Sequence, residues 1–516
     1  MLLAVLLAIA YLVLQPVTAD LAAQAFRSQL FAAHGFLIWN NGWYAGHYLP
    51  GYSVLFPPLG AALGPRLAGS LAAVTSAGLF SSLAGHRYGD RARLATLWFG
   101  AGTATMLFTG RLTFALGVAI GLGALLALQR GRPRLAAALA LLTPCASPVA
   151  GVFLVLAGIA VLLTGNRRGG AAIVIPAFAA AALLSFAFPT DGHEPFVFTA
   201  FLGVPLFAVG ALMLLPRDER TLRWGVVVYA IAATASFAFA NPMGGTIARL
   251  GALAAGPVLA LGLAGRRQVA LAVVALPLLY WQWVAPVRDI SRTIGDPAAS
   301  PSYYQPLLAE LKRRTHGDPV RLEIPPTRGR WEAEYVAPEF PLVRGWLRQL
   351  ESGDFERFTD GDLTPRRYRN WLHRQGVDLV AVSDGTPDPL SMRERALIRH
   401  GLPYLRPVWS SRHWRLYAVR DASGLVSPQN APKRAAAPHA RLTGLGPDWF
   451  KLAVRRPGTY LVRVHFTSYW TVTDGKACVG PKGQWTKVRV KRPGRVRVAT
   501  RLSLGGIFGR HSECSA

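Results

Sequence analysis

Residues 1–286 carry eleven apolar stretches, most of them near the length needed to cross a bilayer, and that run limits the fold more than any other feature. A hydrocarbon core of ~30 Å takes about 20 residues of helix, and lipid admits only helices or closed barrels. The stretches are 2–17, 66–85, 93–109, 111–129, 134–146, 148–164, 171–188, 197–215, 223–240, 247–264 and 267–286. Pro144 and Pro148 interrupt the 134–164 pair. The expected class is a polytopic α-helical membrane bundle of about eleven spans, followed by an extracytoplasmic α/β unit and a C-terminal β-sandwich-like module.

Charge supports that division. Residues 1–286 hold only six acids, Asp20, Asp90, Asp191, Glu194, Asp218 and Glu219, while the remaining 21 of 27 lie beyond. The net charge of +29 raises the question of nucleic acid. In the apolar half, however, the cations sit in short loops, and in the second half they are scattered among acids with no nucleic-acid motif. An anionic membrane or cell-wall surface is the expected neighbour, and nucleic acid is not. One alternate set of loops contains Arg87, Arg91, Arg93, Arg130, Arg132, Arg134, Arg167, Arg168, Arg217, Arg220, Arg223, Arg266 and Arg267; the opposite set has only Arg27, Arg66, Arg111 and Arg249. The positive-inside rule places the first set in the cytoplasm. A multi-pass plasma-membrane protein is expected, its N-terminus cytoplasmic, with the 18–65 loop and all residues after about 287 outside. Val17-Thr18-Ala19 resembles a signal-peptidase site, but the basic n-region is missing, which favours a retained first span.

The water-facing half divides by pattern into an α/β domain at 287–421, a linker at 422–438 and a β-rich module at 439–516. "LTPRRYRNWLHRQGVDLVAVSD" reads as a helix capped by Thr364, with Pro365 at its first position, running into a buried strand. Strands around Pro-Gly turns fill the last module. Cys478 and Cys514 both lie there, and on the oxidising side they can pair as a disulfide or remain free. Trp449, Tyr469, Trp470 and Trp485 suit a sandwich core better than a sugar-stacking platform.

Walker, dinucleotide and nucleophile-elbow motifs are missing from the sequence, as is any His/Cys metal cluster. The chemistry must come from polar groups at the outer face of the bundle. Asp20 stands just past the first span, where a desolvated carboxylate serves as a general base or as a plain helix cap. Arg111 and Arg249 stand at the outer ends of spans, against the charge rule, where a lipid-linked phosphate needs a cation; interfacial snorkelling is the plainer role. The stretch "FLIWNNGWYAGHYLPGYSVLFPPL", residues 36–59, is richer in rings and amides than a turn requires. It offers Trp39, Asn40, Asn41, Trp43, Tyr44, Tyr48 and Tyr52, with Arg27, as a cavity wall beside Asp20, and His47 as a further phosphate ligand. An interfacial aromatic belt without a ligand is the alternative.

A first span, an outward Asp20 and then Arg27, Gly35, Trp39, Trp43, Gly46, Tyr48, Pro57 and Pro58 together resemble the GT-C superfamily of membrane glycosyltransferases. That group includes the protein mannosyltransferases and the arabinosyltransferases of the mycobacterial wall. The likeness covers the first 290 residues in layout and is concentrated in residues 20–60. It implies a polyprenyl-phosphate sugar donor, a glycan, glycolipid or protein acceptor outside the cytoplasm, and inversion with Asp20 as base. By the same resemblance Arg111 and Arg249 receive the departing phosphate. Many members pair two acids in this loop, whereas Asp20 has no acidic neighbour there. No cofactor is expected, and a divalent metal finds little support. A transporter or flippase of envelope precursors and a catalytically silent scaffold are the competing readings.

Overall fold

The computed structural model describes residues 1–190, 192–351, 363–429 and 439–509. The chain forms two compact units. One comprises Met1–Ala33, Pro50–Ser185 and Asp191–Ile294; the other comprises His34–Leu49, Phe186–Thr190 and Gly295–Ala516.

The first unit is helical. Its principal elements are α1 (Leu2–Leu14), α2 (Ala19–His34), α3 (Phe56–Leu63), α4 (Pro65–Tyr88), α5 (Arg93–Phe108), α6 (Leu112–Gln129), α7 (Pro133–Ala146), α8 (Pro148–Leu163), α9 (Arg167–Ala187), α10 (Phe198–Phe201), α11 (Gly203–Leu214), α12 (Arg220–Ala238), α13 (Ala248–Leu263) and α14 (Gln268–Thr293). All eleven expected stretches are thus helical over most of their length. Among the described residues six helical segments are long and apolar enough to cross a membrane, or seven if the bent α1–α2 pair counts as one span. The helices at 133–146, 148–163 and 198–214 are shorter, so length and composition do not yield eleven spans. Close packing relies on small residues: a Cβ at Gly256 would lie 2.2 Å from the Trp98 ring, and one at Gly117 2.5 Å from Ala150.

The expected 18–65 loop is only partly a loop. Residues 19–34 form α2, because "ADLAAQAFRSQLFAAH" is rich in helix formers and places Asp20 at the positive end of the helix dipole. Gly35, at φ +71°, stops it. Pro57 and Pro58 stand in the first turn of α3, where a missing N–H costs nothing.

The second unit is rich in strands. A two-residue ladder pairs β1 (Trp39–Asn40) with β2 (His47–Tyr48). The α/β part has a mixed sheet of β3 (Leu322–Glu323), β4 (Leu379–Ser383), β5 (Leu405–Ser410) and β6 (Trp414–Val419), in the order β3-β4-β6-β5 with only β3–β4 parallel. The Pro365–Gln375 helix packs Tyr368, Trp371 and Leu372 into its core, and Thr364 accepts a hydrogen bond from Arg367 N as its cap. The remaining strands are β7 (Val426–Pro428), β8 (Ala440–Leu445), β9 (Trp449–Val454), β10 (Gly458–His465), β11 (Trp470–Asp474), β12 (Ala477–Lys482), β13 (Trp485–Val490) and β14 (Gly494–Thr500). They form two four-stranded antiparallel sheets, β12-β13-β10-β7 and β11-β14-β9-β8. Alternate residues such as Phe450, Leu452, Val496 and Val498 in one sheet and Tyr460, Val462, Val464 and Val488 in the other are buried, the pattern of a sandwich. The 422–438 stretch read as a linker supplies β7, whose Pro428 is tolerated on an edge strand. Residues 430–438, and Cys514 of the expected Cys478–Cys514 pair, lie outside the described residues. Tyr469 and Trp470 are core residues. Trp449 is half-buried between Lys451 and Arg497.

Candidate functional site in the helical unit

Asp20, Gln24 and Arg27 recur at i, i+4 and i+7 on α2, so one face of the helix presents all three. Arg111 meets the first of them, its Nε donating to Asp20 Oδ2 at 3.2 Å. Both side chains keep about a quarter of their surface exposed, 23% each, so the pair is worth little as a stability device. Its worth is positional.

The contact depends on how α5 ends. Arg111 N donates to Met106 O at 2.8 Å and Gly110 N to Leu107 O at 2.9 Å, the two bonds of a Schellman stop. Gly110 sits at φ +76°, and a Cβ there would lie 2.6 Å from Leu21 N and 2.7 Å from Thr18 Oγ1. A glycine is required both by conformation and by the close approach of this turn to the start of α2. The turn carries Arg111 to Asp20.

Next along the face, Gln24 Nε2 donates to the Tyr52 hydroxyl at 2.7 Å. Its Oε1 is buried and accepts no hydrogen bond among the described residues. The Arg27 guanidinium lies 3.9 Å from the centroid of the Tyr52 ring, a desolvated cation–π contact worth ~2 kcal/mol. Burial raises the Tyr52 hydroxyl above its ordinary value, with the Arg27 charge opposing. Arg249, in the first turn of α13, lies within electrostatic reach of Arg111, Asp20, Tyr52 and Glu194.

Two further members of the cluster were not legible as site residues. Gln24 reads as an ordinary polar residue until α2 is known to be a helix. Asp289 reads as the first acid of the water-facing half, yet α14 continues through it to Thr293. There it bonds Arg288 at 3.2 Å and feels the charges of Arg111 and Asp20. Asp289, from far along the chain, thus lies within electrostatic reach of the same cluster. Among the described residues no group of three or more His, Cys, Asp or Glu forms a metal-holding cluster.

Gly244 and Gly245, just before Arg249, let two backbone segments come close. A Cβ on Gly244 would fall 1.7 Å from Glu194 O, and one on Gly245 3.1 Å from Pro195 O. The close backbone approach they allow is to residues 194–196. Asp191 lies outside the described residues.

The other expected wall residues belong to the second unit. Trp39, Asn40, Asn41, Trp43, Tyr44 and His47 are buried there, and Tyr48 is half-buried. Trp43 Nε1 donates to Ala333 O at 2.9 Å, and its ring stacks on His47 with centroids 5.3 Å apart. Asn41 N donates to Pro447 O at 2.6 Å, and its side-chain amide donates to Gly446 O at 2.8 Å while accepting from Trp39 Nε1 at 2.8 Å. Tyr48 and Thr467 share a hydroxyl bond of 2.8 Å. Tyr44 donates to Glu351 Oε1 at 3.3 Å, and Glu351 is itself bonded to Arg330. Tyr44 and Ala45 hold φ of 56° and 58°, a left-handed turn that costs of order 1–3 kcal/mol per residue unless its surroundings fix it. The structure thus brings Asp20, Arg27, Tyr52, Arg111 and Arg249 into one unit, and Trp39–Tyr48 into the core of the other.

No protein-family model matches the sequence, and no curated protein matches it. A crystal structure of the Archaeoglobus fulgidus oligosaccharyltransferase in complex with zinc and sulfate is similar at 13% identity and a TM-score of 0.44. The match covers 71% of this chain and 64% of that one, less than two thirds of its length. So loose a likeness assigns neither fold nor activity.

Proposed function

We propose that the chain is a membrane glycosyltransferase that moves a sugar from a polyprenyl-phosphate donor to an extracytoplasmic glycan, glycolipid or protein acceptor. The observation that carries this reading is the polar face of α2. Helices apolar enough for a membrane rarely hold so many ionisable groups without using them. Here Asp20, Arg27, Arg111, Arg249 and Asp289 share one unit, and a glycine turn holds Arg111 on Asp20.

Asp20 takes the proton of the acceptor hydroxyl through Oδ1, while Arg111 fixes the carboxylate through Oδ2. The acceptor oxygen bonds to the anomeric carbon from the face opposite the phosphate. The bond from that carbon to the phosphate oxygen breaks with its electron pair, and configuration inverts. Arg249 and Arg111 stabilise the charge that gathers on the leaving phosphate, as preset cations do. Gln24 Oε1, buried and without a hydrogen-bond donor among the described residues, suits a sugar hydroxyl, since an unmet acceptor costs about 1–3 kcal/mol.

The test is transfer from a radiolabelled polyprenyl-phosphate sugar by the purified full chain. Asp20→Asn keeps the shape and removes the base, so transfer falls by two orders of magnitude or more. Full activity in that variant sinks the proposal.

A further inference from the structure

An ordered apolar edge of the strand-rich unit has no use in that chemistry. After β14 the chain forms a short helix at Leu504–Ile507, with Leu502, Leu504 and Phe508 among the exposed large apolar residues. Leu504 and Phe508 are four apart and share a face. The segment is held firmly. Ser503 caps it through Gly506 N at 3.0 Å, and Ser468 Oγ donates to Gly506 O at 2.6 Å. Gly506 lies flat on Tyr469, where a Cβ would meet the ring at 2.4 Å. A rigid support that points large apolar side chains outward is unfavourable in water and marks a contact surface.

Its neighbours say what covers it. The Phe508 ring meets Phe186 edge-on at 6.0 Å. Phe186 is the last ring of an exposed stripe on α9, with Ile175, Phe178 and Leu183, and α9 is long and apolar enough to span a membrane. The spacing i, i+3, i+8, i+11 keeps the stripe on one helical face. Tyr469, under the same segment, donates to Ala187 O at 2.7 Å and stacks on Phe188. The apolar edge and the last two residues of α9, Phe186 and Ala187, thus belong to one compact unit.

We propose that Leu502, Leu504 and Phe508 dip into the acyl–headgroup boundary of the bilayer beside the end of α9, with the bilayer itself as partner. The inference needs only a membrane around α9 and stands apart from the glycosyltransferase reading. An amphipathic edge of this kind inserts a few ångströms below the headgroups.

The experiment uses the full chain in phosphatidylcholine nanodiscs. A nitroxide is attached through Leu504→Cys and, for comparison, through Arg492→Cys at the opposite end of β14, with the signal of the labelled parent chain subtracted. The Leu504 label is expected to collide several-fold more with oxygen than with a water-soluble nickel chelate, and the Arg492 label to show the reverse. A Leu504 label as open to nickel as that at Arg492 overturns the proposal. So does shielding from both reagents, which means that protein covers the edge.

Discussion

The two halves of the segment after the first span behave as different materials. Residues 19–33, with Tyr52, keep Asp20, Gln24 and Arg27 on one helical face among apolar helices. Residues 34–49, only a few positions on, are built into the core of the strand-rich unit by hydrogen bonds to residues numbered above 330. Side chains that look alike in sequence, polar and aromatic, line one helical face in the first half and are consumed by packing in the second. Richness in rings and amides is therefore a poor guide to a ligand. The better guide is a charge held among apolar helices.

That contrast can be broken most visibly at Trp43. Trp43→Ala removes a fully buried indole and its bond to Ala333, so the strand-rich unit loses about 3–5 kcal/mol, read by thermal unfolding or proteolysis. Little change in either assay would mean that 34–49 is no core segment. Next comes Arg249→Gln, which keeps the helix and drops transfer by about 10²-fold with unfolding unchanged. A change in unfolding with normal transfer would move Arg249 to the structural side. Gly110→Ala sharpens the contrast from within the helical unit, because its Cβ forces the turn away from Leu21 and carries Arg111 off Asp20. Transfer falls with it, and Gly110→Ser does the same; a fully active Gly110→Ala shows that the Asp20–Arg111 contact is dispensable.

A smaller effect is expected at His465. Burial, with Arg321 nearby, lowers it to about 4, and its Nδ1–H donates to Gly46 O at 3.2 Å. The folded form is thus neutral, while the unfolded imidazole takes a proton near 6.5. Stability from this group is complete above about pH 6.5 and declines as pH falls toward 4. At pH 5 the parent chain should lose about 2 kcal/mol more than His465→Gln, measured from pH 7 in both. Comparing the two cancels Asp378, which burial raises to about 6 and which pulls the opposite way. Parallel pH curves would show that His465 is already solvated.

The helices were legible because lipid leaves a chain no other option, and the strands because alternation and Pro-Gly turns are local signals. Asp20, Arg111 and Arg249 were legible as candidates because charges are rare in and between apolar stretches of this half. Gln24 was hidden by reading α2 as loop, although the alanines around it favour helix. Asp289 was hidden by taking the last span to end at 286, when α14 continues to Thr293. The fate of Trp39–Tyr48 was not legible at all. Their partners, Ala333, Gly446, Pro447 and Thr467, lie hundreds of residues away, and no local pattern encodes such pairings.

The most direct measurement is single-turnover transfer from a radiolabelled polyprenyl-phosphate sugar by Asp20→Asn and Asn41→Ala side by side, each with its melting curve. The account predicts that Asp20→Asn loses at least 10²-fold in rate with an unchanged melt. Asn41→Ala should turn over once folded and melt earlier, by about 1–3 kcal/mol. An active Asp20→Asn, or an Asn41→Ala that is inactive with a normal melt, would contradict it.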